Sequence, residues 1–197
     1  MFFESVQTED VNPRHVPELP PWMGPPMAEK GTLVPTDLEL ARSDQVVLGL
    51  PFIRAYRTGC ALPVEVAVRQ DGLDAGDFLD LHMMTVYATP RLRVRAGEPL
   101  PDRLLRWGVR YADGTKLTTL DERGFPPTGP LLLVSPAGDV MTGTLHSGVR
   151  LWLWPLPPPE PFELAVEWPL GGIGLTIVEL DGAAIAAAAR RSSPYWP

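Results

Sequence analysis

Lysine is nearly missing from this chain. Lys30 and Lys116 are the only two, and arginine supplies the rest of the positive charge. The net charge is −7 and no long basic run occurs. A nucleic-acid partner is therefore not expected, because phosphate contacts need clustered Lys and Arg. Cysteine is scarcer still: Cys60 stands alone, which excludes an intrachain disulfide and a Cys-based metal cluster. His15, His82 and His146 are the only histidines, and none has a local zinc-ligand spacing. No run of about 18 apolar residues is present, so no membrane span is expected. The first ten residues, M-F-F-E-S-V-Q-T-E-D, lack the basic and long apolar parts of a secretory signal. The expected compartment is the cytoplasm. No G-x-S-x-G elbow, phosphate-cradling Gly loop or dinucleotide fingerprint is found, so no catalytic residue and no cofactor is assigned.

Proline, by contrast, is abundant: 24 of 197 residues, more than double the usual ~5 %. Prolines punctuate short alternating runs, which favours strands joined by elaborate loops. Val64, Val66 and Val68 alternate with Glu65, Ala67 and Arg69 as in a half-buried strand. Gln45 to Tyr56 is apolar, with Gly49 and Pro51 marking a bulge or an edge. Leu105, Trp107, Val109 and Tyr111 share one strand face and run into Asp113-Gly114, read as a type I′ hairpin turn. Leu131–Val134 and Val140–Leu145 are read as a second hairpin about S-P-A-G-D. Asp181 is placed as an N-cap of an Ala-rich helix over about 182–191, with Arg190 and Arg191 at its dipole's negative end.

Together these signals predict an all-β protein. The specific expectation is an immunoglobulin-like sandwich over 37–197, with one short C-terminal helix and a Pro-rich extended arm over 1–36. A β-barrel is the alternative. The arm's prolines enclose Trp22, Met23 and Met27. It either packs on its own domain, exchanges with a second subunit to build a homodimer, or serves as a Pro-rich ligand.

Residues 146–181 carry the most unusual pattern. Val149, Leu151 and Leu153 alternate with Arg150, Trp152 and Trp154, while Phe162, Leu164, Val166 and Trp168 alternate with Glu163, Ala165 and Glu167. The simplest reading is an antiparallel pair joined by the stiff loop P-L-P-P-P-E-P. That reading leaves Arg150, Trp152 and Trp154 on an open face; the alternative register, or a crossing between two sheets, would bury the tryptophans instead. Aromatics and Arg are enriched at interaction hot spots. The expected interaction surface is therefore Arg150, Trp152 and Trp154, together with Trp22 and Trp196. The leading functional expectation is a non-enzymatic protein-binding or assembly module, with a protein partner or a second copy of itself and no membrane or nucleic acid.

Two features pull elsewhere. Asp71, Asp74, Asp77 and Asp80 recur every third residue ahead of His82, and hard cations favour several carboxylates. Asp77, Asp80 and His82 are thus candidate site residues of a small-molecule or metal-dependent enzyme, although the stretch lacks the EF-hand spacing and reads as an acidic loop followed by a strand at His82–Tyr87. Arg91, Arg93, Arg95, Arg103, Arg106 and Arg110 form either an anion patch or a salt-bridged face.

The stretch Trp154–Ile185, W-P-L-P-P-P-E-P-F-E-L-A-V-E-W-P-L-G-G-I-G-L-T-I-V-E-L-D-G-A-A-I, resembles the C-terminal part of an uncharacterised actinobacterial protein family. Arginine over lysine, with abundant Ala, Gly and Pro, also points to a GC-rich bacterial genome. The resemblance carries over no activity and no functional residue.

Overall fold

The computed structural model describes residues 19–69, 73–86, 98–121, 126–136 and 146–196. In chain order the elements are β1 (Glu29–Lys30), β2 (Thr32–Arg42), β3 (Val46–Ala55), β4 (Cys60–Val68), α1 (Ala75–Val86), β5 (Arg106–Arg110), β6 (Lys116–Thr118), β7 (Leu131–Pro136), β8 (His146–Trp154), β9 (Phe162–Trp168), a 3₁₀ turn (Pro169–Gly171), β10 (Ile173–Leu180), α2 (Gly182–Ala189) and β11 (Ser193–Pro194). The protein is mostly β. One sheet has the order β2-β3-β4-β8-β7 and another the order β10-β9-β5-β6; β1 and β11 pair separately. Every pairing is antiparallel. Neither sheet closes into a barrel among the described residues.

The alternation seen in the sequence builds one core shared by both sheets. Leu62, Val64 and Val66 of β4 and Leu151 and Leu153 of β8 meet Trp107 and Val109 of β5 and Leu164, Val166 and Trp168 of β9. Both helices close on this core: Leu81 from α1, and Ile185, Ala188 and Ala189 from α2. No helix among the described residues is long and apolar enough to cross a membrane.

Several sequence readings change. β8 and β9 are not a hairpin. β8 pairs with β4 and β7, whereas β9 pairs with β5 and β10. Five prolines between 155 and 161 deny the segment the donors of a ladder, and a tight hairpin turn cannot be built from it. It instead carries the chain from one sheet to the other.

The stretch expected as an acidic loop and a strand is helix α1. Asp74 Oδ1 accepts from the amides of Gly76 (2.7 Å) and Asp77 (2.9 Å), which caps the first turn. The threefold spacing of the aspartates is a helical period, with Asp74, Asp77 and Asp80 exposed while Leu73, Phe78 and Leu81 pack inward. The chain thus has a second helix beyond the C-terminal one.

The Asp113-Gly114 turn is a three-residue loop rather than type I′. Tyr111 N bonds Thr115 O (2.9 Å), Gly114 N bonds Tyr111 O (3.0 Å), and of the turn residues only Gly114 has positive φ. β3 is internal to its sheet, and Pro51 is accommodated where its register against β4 slips between Gly49 and Arg54. β2 begins at Thr32, inside the range read as arm. The strand read at 140–145 lies outside the described residues; β7 pairs with Val149–Trp154.

Candidate functional site

Strand alternation gives the five-stranded sheet a second face, turned away from the shared core. On β8 this face holds Arg150, Trp152 and Trp154; on β4 it holds Ala61 and Pro63; on β3, beyond the register slip, it holds Phe52 and Arg54. Such a face would ordinarily be solvated. Here Trp152 is only 3 % exposed, with Tyr56 and the Pro21–Trp22 part of the arm against this face. Trp152 Nε1 donates to Pro21 O (3.1 Å), and the Trp22 ring meets Trp154 edge to face at 6.1 Å between centroids. Tyr56 meets Trp152 in the same manner at 5.8 Å. Tyr56, Ala61 and Trp152, with Leu133 and Trp154 beside them, make a second, smaller core under the arm.

Next to that core the arm stands off from the sheet and leaves an open groove of about 430 Å³. Pro25, Pro26 and Met27 form one wall. The floor is Phe52, Tyr56, Ala61 and Pro63, flanked by Arg54 and Arg150. The Arg54 guanidinium lies over the Phe52 ring, 6.0 Å from its centroid. Neither Arg54 nor Arg150 forms an ion pair among the described residues. Burial raises the Tyr56 phenol above its ordinary pKa, while the positive charges of Arg54 and Arg150 pull it down. At neutral pH the groove therefore offers two guanidinium forks and a phenolic O–H on an apolar floor, a set of donors suited to an anion.

The sequence candidates divide accordingly. Trp22, Arg150, Trp152 and Trp154 are brought together. Trp196 is not part of the cluster: it is 74 % exposed and stacks edge to face on Tyr195 at 5.6 Å. Asp77 and Asp80 are exposed on α1. His82 lies on the same helix, two residues past Asp80 and so about 200° further round the axis, with its side chain outside the described residues. Among the described residues no group of three His, Cys, Asp or Glu side chains could hold a metal ion. Of the arginines, Arg106 pairs with Glu167 (2.6 Å) and Arg110 with Glu163 (2.5 Å); Arg91, Arg93 and Arg95 lie outside the described residues. Arg54, Phe52 and Pro63 were not singled out by sequence reasoning. Their only trace was Arg54 as the one charge inside the apolar run from Val46 to Tyr56.

Compared with known proteins, the chain matches no family model, no curated protein and no solved structure.

Proposed function

We propose that this protein is a non-enzymatic binding module with an immunoglobulin-like sandwich, and that it takes an acidic peptide segment of a protein partner in the groove between its arm and the five-stranded sheet. Strand order supports the fold. Taking β3, β4, β5, β7, β8, β9 and β10 as strands A, B, C, D, E, F and G gives A-B-E-D in one sheet and C-F-G in the other, with β6 beside C and β2 outside A. The buried Trp107 on β5 occupies the strand where such domains carry a core tryptophan.

The observation that carries the binding reading is the pair Arg54 and Arg150, which have no carboxylate partner among the described residues of a protein of net charge −7. Arg106 and Arg110, by contrast, are paired with Glu167 and Glu163. Two such guanidinium groups over an aromatic floor form a local attractive site on a protein of net negative charge, which favours a ligand with one or two carboxylates over a polyanion.

The test is titration with a short glutamate-containing peptide, followed by tryptophan fluorescence, using wild type and the double variant Arg54→Gln/Arg150→Gln. Saturable binding that weakens with salt and is lost in the double variant at unchanged melting temperature supports the reading. Equal binding by both proteins, or none by wild type, defeats it.

A further inference from the structure

The outer face of the four-stranded sheet carries a charge pattern that the groove does not use. The pairing register arranges it in rows across the strands. One row runs Glu179, Glu163, Arg110, Lys116 from β10 to β6. The next runs Ile177, Ala165, Gly108, Thr118. In a third, Glu167 lies beside Arg106. Burial agrees with the placement, since the residues alternating with these on β5 and β9 are core. Thus β9 and β10 carry negative charge, β5 and β6 carry positive charge, and the middle row is small or apolar. Ile177 is 47 % exposed and neighbouring Leu175 67 %. The face changes sign about the line between β5 and β9.

We propose that this face binds a second copy of the chain, related by a twofold axis that runs along the strands between β5 and β9. A closed dimer uses the same patch on both subunits, so the patch must complement itself. That axis sets Glu163 against the partner's Arg110, and Glu179 against the partner's Lys116. It sets Glu167 against the partner's Arg106, and Ile177 against the partner's Thr118. A twofold across the strands would instead oppose charges of the same sign, so the pattern selects one geometry. Gly108 and Ala165 keep the centre of the face low, which face-to-face sheets about 10 Å apart require. Exposed ion pairs add little affinity each, so the apolar row supplies the attraction and the charges set orientation.

Sedimentation velocity and native mass spectrometry on the full chain test this. Wild type should contain dimer, and Ile177→Asp should be monomeric with unchanged circular dichroism and melting temperature. The charge-swapped variant Arg110→Glu/Glu163→Arg keeps its intrasubunit pair and its self-complementarity, so it should still dimerise. Mixed with isotope-labelled wild type it opposes Glu to Glu and Arg to Arg, so the mixed dimer should fall roughly tenfold below its statistical share. The groove variant Arg54→Gln/Arg150→Gln should leave the dimer intact, which separates this proposal from the binding reading. A monomer at every attainable concentration, a dimer that survives Ile177→Asp, a swapped protein that no longer self-associates, or free mixing of swapped and wild-type chains would each overturn it.

Discussion

The indole N–H of Trp152 reaches across 131 positions of sequence to donate to the carbonyl of Pro21, at 3.1 Å. This bond and the Trp22–Trp154 contact fix where the arm lies, and therefore where the groove opens. Trp152→Phe should keep the packing against Tyr56 but leave Pro21 without its donor, at a cost of about 1 kcal/mol. Trp152→Ala also empties part of the second core and should cost about 3–5 kcal/mol. Urea unfolding measures both. Faster tryptic cleavage at Lys30 in the Ala variant would report release of the arm. An Ala variant as stable as wild type would mean that the arm does not depend on this ring.

Cys60 is fully buried, and desolvation pushes its thiol up to about 12. Tyr111 is raised in the same direction by burial first, then by the negative charges that Cys60 and Asp113 would carry. Both groups hold their protons in the fold at a pH where the unfolded chain releases them. Their contribution is therefore complete below about pH 8.5 and is lost as pH climbs toward 12, at roughly 1.4 kcal/mol per pH unit for each group titrating in the unfolded chain. Denaturation curves between pH 8 and pH 11 should fall with this slope, and Cys60→Ala should flatten them. The native thiol should also resist a disulfide reagent until the protein is unfolded. A thiol that reacts at once in the native state would contradict this burial.

The core strands were the legible part of the fold, because alternation of apolar and polar residues maps directly onto the two faces of a strand. Val64, Val66 and Val68 were placed that way and are buried. Which strands pair was not legible from local pattern. The Phe162–Trp168 and Val149–Trp154 patterns look the same whether the two strands share a sheet or sit in different ones, and only the proline loop hinted at the crossing. The groove and the small core beside it were legible in half. Arg150 and the tryptophans stood out by type, but Arg54 and Pro63 reach the same face only through the register slip at Pro51 and the pairing of β4 with β8. The acidic stretch was misread because short polar spacings serve a turn-rich loop and a capped helix equally well, and long-range burial of Phe78 and Leu81 decides between them.

Asp74 separates the two readings of that stretch by experiment. Its carboxylate caps α1, so Asp74→Ala should cost about 1 kcal/mol. Asp77→Asn/Asp80→Asn should change stability by no more than a few tenths of a kcal/mol, as exposed sites do. Melting temperatures with and without Ca²⁺, Mn²⁺ or Zn²⁺ complete the comparison. A rise on adding metal that Asp77→Asn/Asp80→Asn abolishes would restore the metal reading.

Gly182 sets two principles against each other. It occupies the first position of α2, where helix propensity alone favours Ala by up to about 1 kcal/mol. A Cβ there would lie 2.2 Å from Glu160 O and 2.4 Å from Pro158 O. Both contacts are backbone atoms of the proline-rich crossing between β8 and β9, so neither can swing aside as a side chain would. Relief requires α2 to move off the loop, and α2 delivers Ile185, Ala188 and Ala189 to the shared core. The contact should win, and Gly182→Ala should destabilise by about 1–3 kcal/mol or more. Gly174 is the control: a Cβ there meets nothing within 4 Å. Gly174→Ala should be neutral or slightly stabilising. Thermal unfolding of the two variants side by side decides the matter. If Gly182→Ala proves as stable as Gly174→Ala, then α2 does not sit tightly on the crossing, and the packing of β9 and β10 would have to be held by the sheet alone.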